Sequence, residues 1–434
     1  GAGLVTFAAY LPGLGRSLDF DSAETVGLFV RPGPPWAAFE RQAVFNNHPL
    51  FSFLEQLVRV GTGRTDAAAM RVLPILFGAV TVAVLTWFAC RRLGLLSGIV
   101  AGAVVAANPT FAGLSRSVRG YSLLALCAVV STVLVLSDDG RRSRRSGGAY
   151  LLVAAAGVAT HLYMVPVLAG HAGVLLARRA FDQRWRARFL AVLLLSALAY
   201  AGMASTLVDA ASAHSRVFQA DFPGRVARMA TGGAKAWLLL APLAAVGAAV
   251  TLRRSPAAGG GGLTLAVVLV GLWAVLQSSA LGERFFVWLV PAAAYMIAVA
   301  VRRFPTGAVV AGVGVVLAVV GMVPGYTRET TSYRQAAELI RRASADGATS
   351  CVVGVGVPPM LAYLDAPADF SPVTRPEELA GCEVVVVAAW WADSTAAWFA
   401  ADKAVIAAAE DRYPHRLVLP AEDPGLVLSA RPVS

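Results

Sequence analysis

The chain has 434 residues, of which 57% are hydrophobic and only 15% charged, with a mean hydropathy of +0.65. A soluble domain is roughly 45–50% apolar and about 25% charged, so this composition excludes an ordinary soluble globular protein. The formal charge of +11 comes from arginines spread between apolar runs. They form no single basic patch interleaved with aromatics, which excludes nucleic acid as a partner.

The first apolar run, 2–14, is short for a membrane span. The chain opens without Met and lacks the basic segment and cleavage site of a signal peptide, so the run reads as a truncated first helix. Further apolar runs lie at 73–90, 94–114, 121–137, 188–207, 234–252, 262–280, 285–301 and 306–324. Each is near the ~20 residues that cross ~30 Å of hydrocarbon. The run 148–178 holds two crossings if it turns near His161. Together these runs predict an α-helical polytopic membrane protein with about 11 transmembrane helices. Arg91–Arg92, the arginines of 141–145 and 177–188, Arg253–Arg254 and Arg302–Arg303 fall at alternate junctions. Arginine-rich short loops stay cytoplasmic, which sends the loop 15–72, the loop 208–233 and everything after 325 to the other side.

In the loop 15–72, "SLDFDSAETVGLF" puts Asp19, Asp21 and Glu24 directly after the first helix. Segments 36–45 and 50–60 read as amphipathic helices along the membrane face, with Glu40, Arg41, Glu55 and Arg59 on their polar sides. Pro49, after His48, suits a first helical turn. A carboxylate at this mouth meets both water and lipid headgroups, a position suited to catalysis on a lipid-linked substrate. Two domains follow: 1–325 in the membrane and an extracytoplasmic α/β tail at 326–434. The tail opens on a helix from Thr331 that stops before Gly347. Strands at 350–356 and 382–391, helices at about 358–364 and 393–411, and the short strands "RLVLP" and "GLVLSA" predict a sheet that is at least partly parallel. No glycine-rich phosphate loop follows either early strand, so the tail reads as a lid or scaffold. Cys351 and Cys382 each open a strand where oxidising conditions permit a disulfide, two buried thiols being the alternative. Cys90 and Cys127 read as small core residues.

The order of motifs carries a resemblance. An acidic stretch after helix one is followed by "NNHPLFSFLEQL" and "MRVLPILFGAVTVAVLTWFACRRLG", then by "ANPTFAGLSRSVRGYSLLAL", "GVATHLYMVPVL" and "GERFFVWLVPAAAYMIA". This series resembles the GT-C membrane glycosyltransferases, the superfamily of protein O-mannosyltransferases and the lipid A aminoarabinose transferase. The bacterial protein mannosyltransferase-like group is the nearer likeness, over helices one to ten and the outward tail. The resemblance implies transfer of one sugar from a polyprenyl-phosphate donor at the outer face, with no cofactor. Its partners would be that lipid-linked donor, a glycan, glycolipid or protein acceptor, and membrane lipids. Many members carry adjacent Asp-Glu in the first loop; here the order is Asp21-Ser22-Ala23-Glu24, with Asp21 at the Asp position and the Glu displaced.

The chemistry selects the same residues. A glycosyl phosphate has a good leaving group, so the demanding tasks are taking a proton from the acceptor hydroxyl and stabilising the departing phosphate. Asp21 is the candidate base and Glu24 its alternative; a helix cap at Asp21, just before Ser22, is the structural reading of the same residue. Arg119 and Arg284 are candidates for the phosphate, Arg119 also for pairing with Asp21, with Arg116 and Lys235 as further candidates. His48, Arg71, Tyr121 and His161 are candidate substrate-binding residues. Tyr121 would act as a hydrogen-bond partner, and the structural counterparts of the other three are a helix-capping histidine, an arginine reaching for the interface and a buried histidine. No His, Asp and Glu set has metal-ligand spacing. A transporter or flippase of lipid-linked sugar is the alternative function, but no internal repeat is present and the charges gather at the mouth instead of mid-span. A non-catalytic GT-C-like partner protein is the third reading.

Overall fold

The computed structural model describes residues 1–40, 47–137, 144–201, 220–233, 235–276, 282–327, 331–366, 368–387, 400–421 and 424–432. Its helices run α1 (Ala2–Tyr10), α2 (Phe20–Glu24), α3 (Ala37–Glu40), α4 (Pro49–Thr62), α5 (Ala67–Leu93), α6 (Leu95–Ala106), α7 (Pro109–Arg116), α8 (Tyr121–Ser137), α9 (Arg144–Thr160), α10 (Val165–Ala177) and α11 (Gln183–Tyr200). They continue as α12 (Phe222–Ala230), α13 (Trp237–Arg254), α14 (Pro256–Leu276), α15 (Leu289–Arg303), α16 (Gly307–Thr327), α17 (Tyr333–Ala345), α18 (Val357–Met360) and α19 (Ala400–Arg412). A π-helical segment, Thr25–Val30, continues α2.

In the apolar body, α5 packs against α1, α6 and α8, while α15 packs against α6 and α13 and α10 against α14. Among the described residues three helices, α5, α13 and α16, are long and apolar enough to cross a membrane. The expected count of about 11 transmembrane helices is therefore not established by length, since other apolar helices among the described residues are shorter and one apolar run is broken. The run 94–114 becomes α6 and α7, bent by 60°. Asn108 makes that break: its Oδ1 accepts the Phe111 N–H at 2.9 Å, and Pro109 follows in the first turn. The Asn108 Nδ2 also donates to the Met229 carbonyl of α12 at 2.8 Å. The run 148–178 does turn at His161, through a 3₁₀ turn at Leu162–Met164. On α16, Val309, Val313, Val316, Val320 and Val323 recur at helical spacing and are exposed, an apolar stripe suited to lipid.

The tail holds a five-stranded sheet in the order β2-β1-β3-β5-β4, with β1 (Ser350–Val353), β2 (Ser371–Val373), β3 (Val384–Val387), β4 (His415–Leu419) and β5 (Gly425–Ser429). The β1 strand runs parallel to β2 and β3, whereas β5 runs antiparallel to β3 and β4. Edge strand β2 is an addition to the elements expected from sequence. The predicted segments 388–391 and 393–399 lie outside the described residues. A disulfide joins Cys351 in β1 to Cys382 just ahead of β3, with their Cα atoms 5.8 Å apart.

The tail is built against the acidic loop. The Tyr363 hydroxyl accepts the Leu18 N–H at 2.7 Å, and Thr331 Oγ1 donates to the Leu18 carbonyl at 2.6 Å. Arg31 donates to the carbonyls of Leu361 and Leu364 at 2.6 and 3.0 Å and pairs with Asp365 at 2.9 Å. At Gly27 a Cβ would lie 2.5 Å from the Pro358 carbonyl oxygen, so only glycine admits this contact.

Candidate active site

The acidic stretch folds into α2 because Asp19 caps it. Asp19 Oδ1 accepts the Ser22 N–H at 2.9 Å and Oδ2 accepts the Ser22 hydroxyl at 2.8 Å. The N-cap is thus Asp19, two residues before the position considered from sequence, and the carboxylate of Asp21 is left for other work. Ser22 Oγ also lies 2.9 Å from Ser117 Oγ and accepts the Val118 N–H at 2.8 Å. This network draws the loop 117–120 onto α2 and brings Arg119 in beside it. The Arg119 side chain is fully buried and donates through Nη1 to Thr25 Oγ1 at 3.2 Å and to the Asp21 carbonyl at 3.4 Å.

Asp21 pairs with Arg284: Nη1 lies 2.5 Å from Asp21 Oδ2. The aspartate side chain is 17% exposed and the arginine 45%. The acid and the two arginines named in the sequence are therefore together, and one guanidinium still faces solvent. Glu24, one turn along, is buried. Neighbouring Glu283 pairs with Arg225 of α12 at 3.5 Å, which ties α12 to the turn carrying Arg284.

His48 and His161 line the same place. Their ring centroids are 4.9 Å apart, and Tyr121 lies 5.3 Å from His48 and 5.9 Å from His161. His48 stands at the N-cap of α4 without capping it. Its Nδ1 instead meets the Thr160 carbonyl at 3.2 Å. Gly120 makes room for that seat: a Cβ there would lie 2.5 Å from Thr160 Cγ2 and 3.1 Å from His48 Nδ1. Both histidines sit outside the spanning helices. Burial first, and the Arg119 guanidinium second, hold their basicity well below the ordinary histidine range, so both rings are neutral at physiological pH.

Three other candidates fall elsewhere. Arg71 is buried and does not reach for the interface; it donates to the carbonyls of Leu14, Arg16, Ser17 and Arg116 at 2.6, 2.7, 2.8 and 3.2 Å, fixing the chain between α1 and α2. Arg116 donates to the Pro12 and Gly325 carbonyls at 2.6 and 3.2 Å and covers the Tyr326 ring at 4.2 Å, away from Asp21. Lys235 is exposed, and among the described residues no ion pair joins it to Asp21. On α4, Glu55 and Gln56 are buried, correcting the polar-face assignment of Glu55, while Arg41 lies outside the described residues. Among the described residues no group of three or more His, Cys, Asp or Glu is arranged to hold a metal.

Residues to which the sequence assigned no role at the site complete it. Asp19, Ser22, Ser117 and Thr25 place the acid and Arg119, and the Asp-x-x-Ser spacing of Asp19 and Ser22 is a legible capping signal. Tyr163 and Phe285 stack at 4.9 Å beside His161. Tyr363 comes from the tail, and no local pattern points to it.

No protein-family model and no curated protein sequence matches the chain. Solved structures do. ArnT from Cupriavidus metallidurans in the apo state superposes with a TM-score of 0.63 at 14% identity, over 99% of this chain and 96% of that one. The same enzyme bound to undecaprenyl phosphate gives 0.62 at 12%, with the same coverage. An Archaeoglobus fulgidus oligosaccharyltransferase in complex with zinc and sulfate gives 0.52 at 11%, over 89% of this chain and 67% of that one. These neighbours are GT-C membrane glycosyltransferases, and a near-complete superposition on the first of them makes this chain a GT-C fold with a small C-terminal α/β unit.

Proposed function

We propose that the protein moves one sugar from a polyprenyl-phosphate donor to an acceptor hydroxyl at the outer membrane face, with inversion. The observation that carries this reading is the Asp21–Arg284 ion pair next to fully buried Arg119. One carboxylate and two guanidiniums are what such a transfer needs. The acceptor oxygen attacks the anomeric carbon while its proton passes to the Asp21 carboxylate. The bond from that carbon to the phosphate oxygen breaks, and its electron pair leaves with the phosphate. Arg284, half exposed, meets the arriving phosphate and in turning to it releases Asp21 for the acceptor. Arg119, held by Thr25 and the Asp21 carbonyl, supplies a fixed positive charge that needs no reorganisation.

The ArnT neighbour solved with undecaprenyl phosphate supports the choice of a polyprenyl carrier. The oligosaccharyltransferase neighbour has also been solved tethered to an acceptor peptide, which is compatible with a polymeric acceptor here. The tail is read as a scaffold of the extracytoplasmic side, 326–434, holding the acid loop of the domain 1–325. Among the described residues no group of three or more His, Cys, Asp or Glu is placed to hold a metal such as the zinc present with the oligosaccharyltransferase neighbour.

The test is transfer from purified polyprenyl-phosphate sugars by Asp21→Asn and Glu24→Gln side by side. Loss of a general base typically costs about 10²–10⁴-fold in rate. A wild-type rate in Asp21→Asn with collapse in Glu24→Gln moves the base to Glu24. Wild-type rates in both refute the mechanism.

A further inference from the structure

The histidine pair has a feature that the phosphate and base chemistry leaves unused. The Nδ1 of His48 faces the Thr160 carbonyl, which can only accept, so Nδ1 carries the proton and Nε2 a lone pair. The Nδ1 of His161 faces the Tyr163 N–H at 3.1 Å, which can only donate, so here Nδ1 carries the lone pair and Nε2 the proton. The main chain thus imposes opposite tautomers on two rings 4.9 Å apart. Neither Nε2 is hydrogen bonded to a described protein group. One offers an acceptor and the other a donor.

A phosphate oxygen of the donor lipid suits only half of this pair. It can accept from His161 Nε2–H, but it meets a lone pair at His48. A hydroxyl satisfies both, donating to His48 Nε2 while accepting from His161 Nε2–H. The walls fit a ring that carries hydroxyls. Tyr121, Tyr163 and Phe285 surround the two imidazoles, with His161 5.2 Å from Tyr163 and 5.4 Å from Phe285. Aromatic faces are electron-rich and suit the C–H face of a sugar. The cluster also adjoins both phosphate arginines in the chain, Arg119 through Gly120 and Tyr121, and Arg284 through Phe285.

We infer that His48 and His161 form a sugar subsite, the two Nε2 positions gripping one hydroxyl of the donor's sugar ring against the aromatic wall. The inference rests on the glycosyl-transfer reading and assigns the sugar, as distinct from the phosphate, to these two residues. The neutrality of both rings agrees with it, since a cationic His161 would lose its bond from Tyr163.

Binding by the protein in lipid nanodiscs tests this. The probes are bare undecaprenyl phosphate and undecaprenyl phosphate carrying mannose, glucose or arabinose. The wild type is expected to bind at least one sugar-bearing probe more tightly than the bare lipid. His48→Asn and His161→Asn keep an amide group near Nδ1 but remove the Nε2 contact. Each is expected to reduce that preference about tenfold while binding the bare lipid as the wild type does. His48→Gln and His161→Gln place an amide oxygen or N–H near Nε2 and are expected to retain most of it. Unaltered preference in both Asn variants overturns the inference and leaves the function standing. Equal weakening toward the bare lipid also overturns it, assigning the pair to the phosphate. A wild type that prefers none of the sugar-bearing probes refutes the subsite and the glycosyl-transfer reading together.

Discussion

Tyr363→Phe removes one hydroxyl from the tail and one hydrogen bond from the acid loop. In the structure Leu18 is buried, at 1% exposure, and both its main-chain polar groups are satisfied by the tail. Without the phenolic oxygen the Leu18 N–H is stranded, because a buried site at that exposure admits little water. Leaving a buried donor unpaired costs about 1–3 kcal/mol, against roughly 0.5–1.5 for the average hydrogen bond. Leu18 directly precedes Asp19, whose carboxylate holds α2 and therefore the place of Asp21. Hydrogen exchange at the Leu18 and Asp19 amides reads the effect, since opening of the loop becomes easier by the same free energy. Exchange should accelerate about 5–150-fold, with amides of α5 unchanged. On the proposed mechanism transfer should fall in kcat with little change in the KM for donor, because Asp21 is misplaced while Arg119 and Arg284 stay put. Unchanged protection at Leu18 would refute the clamp, and with it the view that the tail helps place the base.

Arg119→Ala and Arg284→Ala should each weaken binding of bare undecaprenyl phosphate, by about 1.5–3 kcal/mol for a lost charge-assisted contact, whereas Lys235→Ala and Arg59→Ala should not; equal effects at all four positions would mislocate the phosphate. Replacing Cys351 and Cys382 by serine opens a loop spanning 31 positions, which in the chain-entropy model destabilises the tail by about 3.7 kcal/mol. Thermal unfolding with and without reductant measures this, and coincident curves would contradict it. Burial first, then Arg119 and Arg284, push His161 from 6.5 down to about 3, so the unfolded chain binds a proton there that the folded chain does not. Its contribution to stability is complete above pH 6.5 and is lost as the pH falls toward 3; His161→Asn should flatten that part of the stability profile.

Membrane character, the helical body and the composition of the tail were legible in the chain itself, because hydropathy and strand-type runs are local properties. So was the gathering of charge at the mouth. Asp21, Arg119 and Arg284 lie in three distant segments, and what singled them out was charge set at the ends of apolar runs, where it is costly unless used. Cys351 and Cys382 were legible for a similar reason, since each begins a short apolar β-branched run. Only the tertiary structure decided how these residues share the work. The Asn108 cap turned one apolar run into two helices at 60°, because a side-chain acceptor followed by proline stops one helix and starts the next. Arg71 and Arg116 became carbonyl clamps, and Asp19 took the cap that freed Asp21, outcomes set by distances between segments far apart in sequence. The tautomers of His48 and His161 are settled by which main-chain group each Nδ1 meets, Thr160 C=O in one case and Tyr163 N–H in the other. For His48 that partner is 112 positions away, beyond the reach of any local pattern.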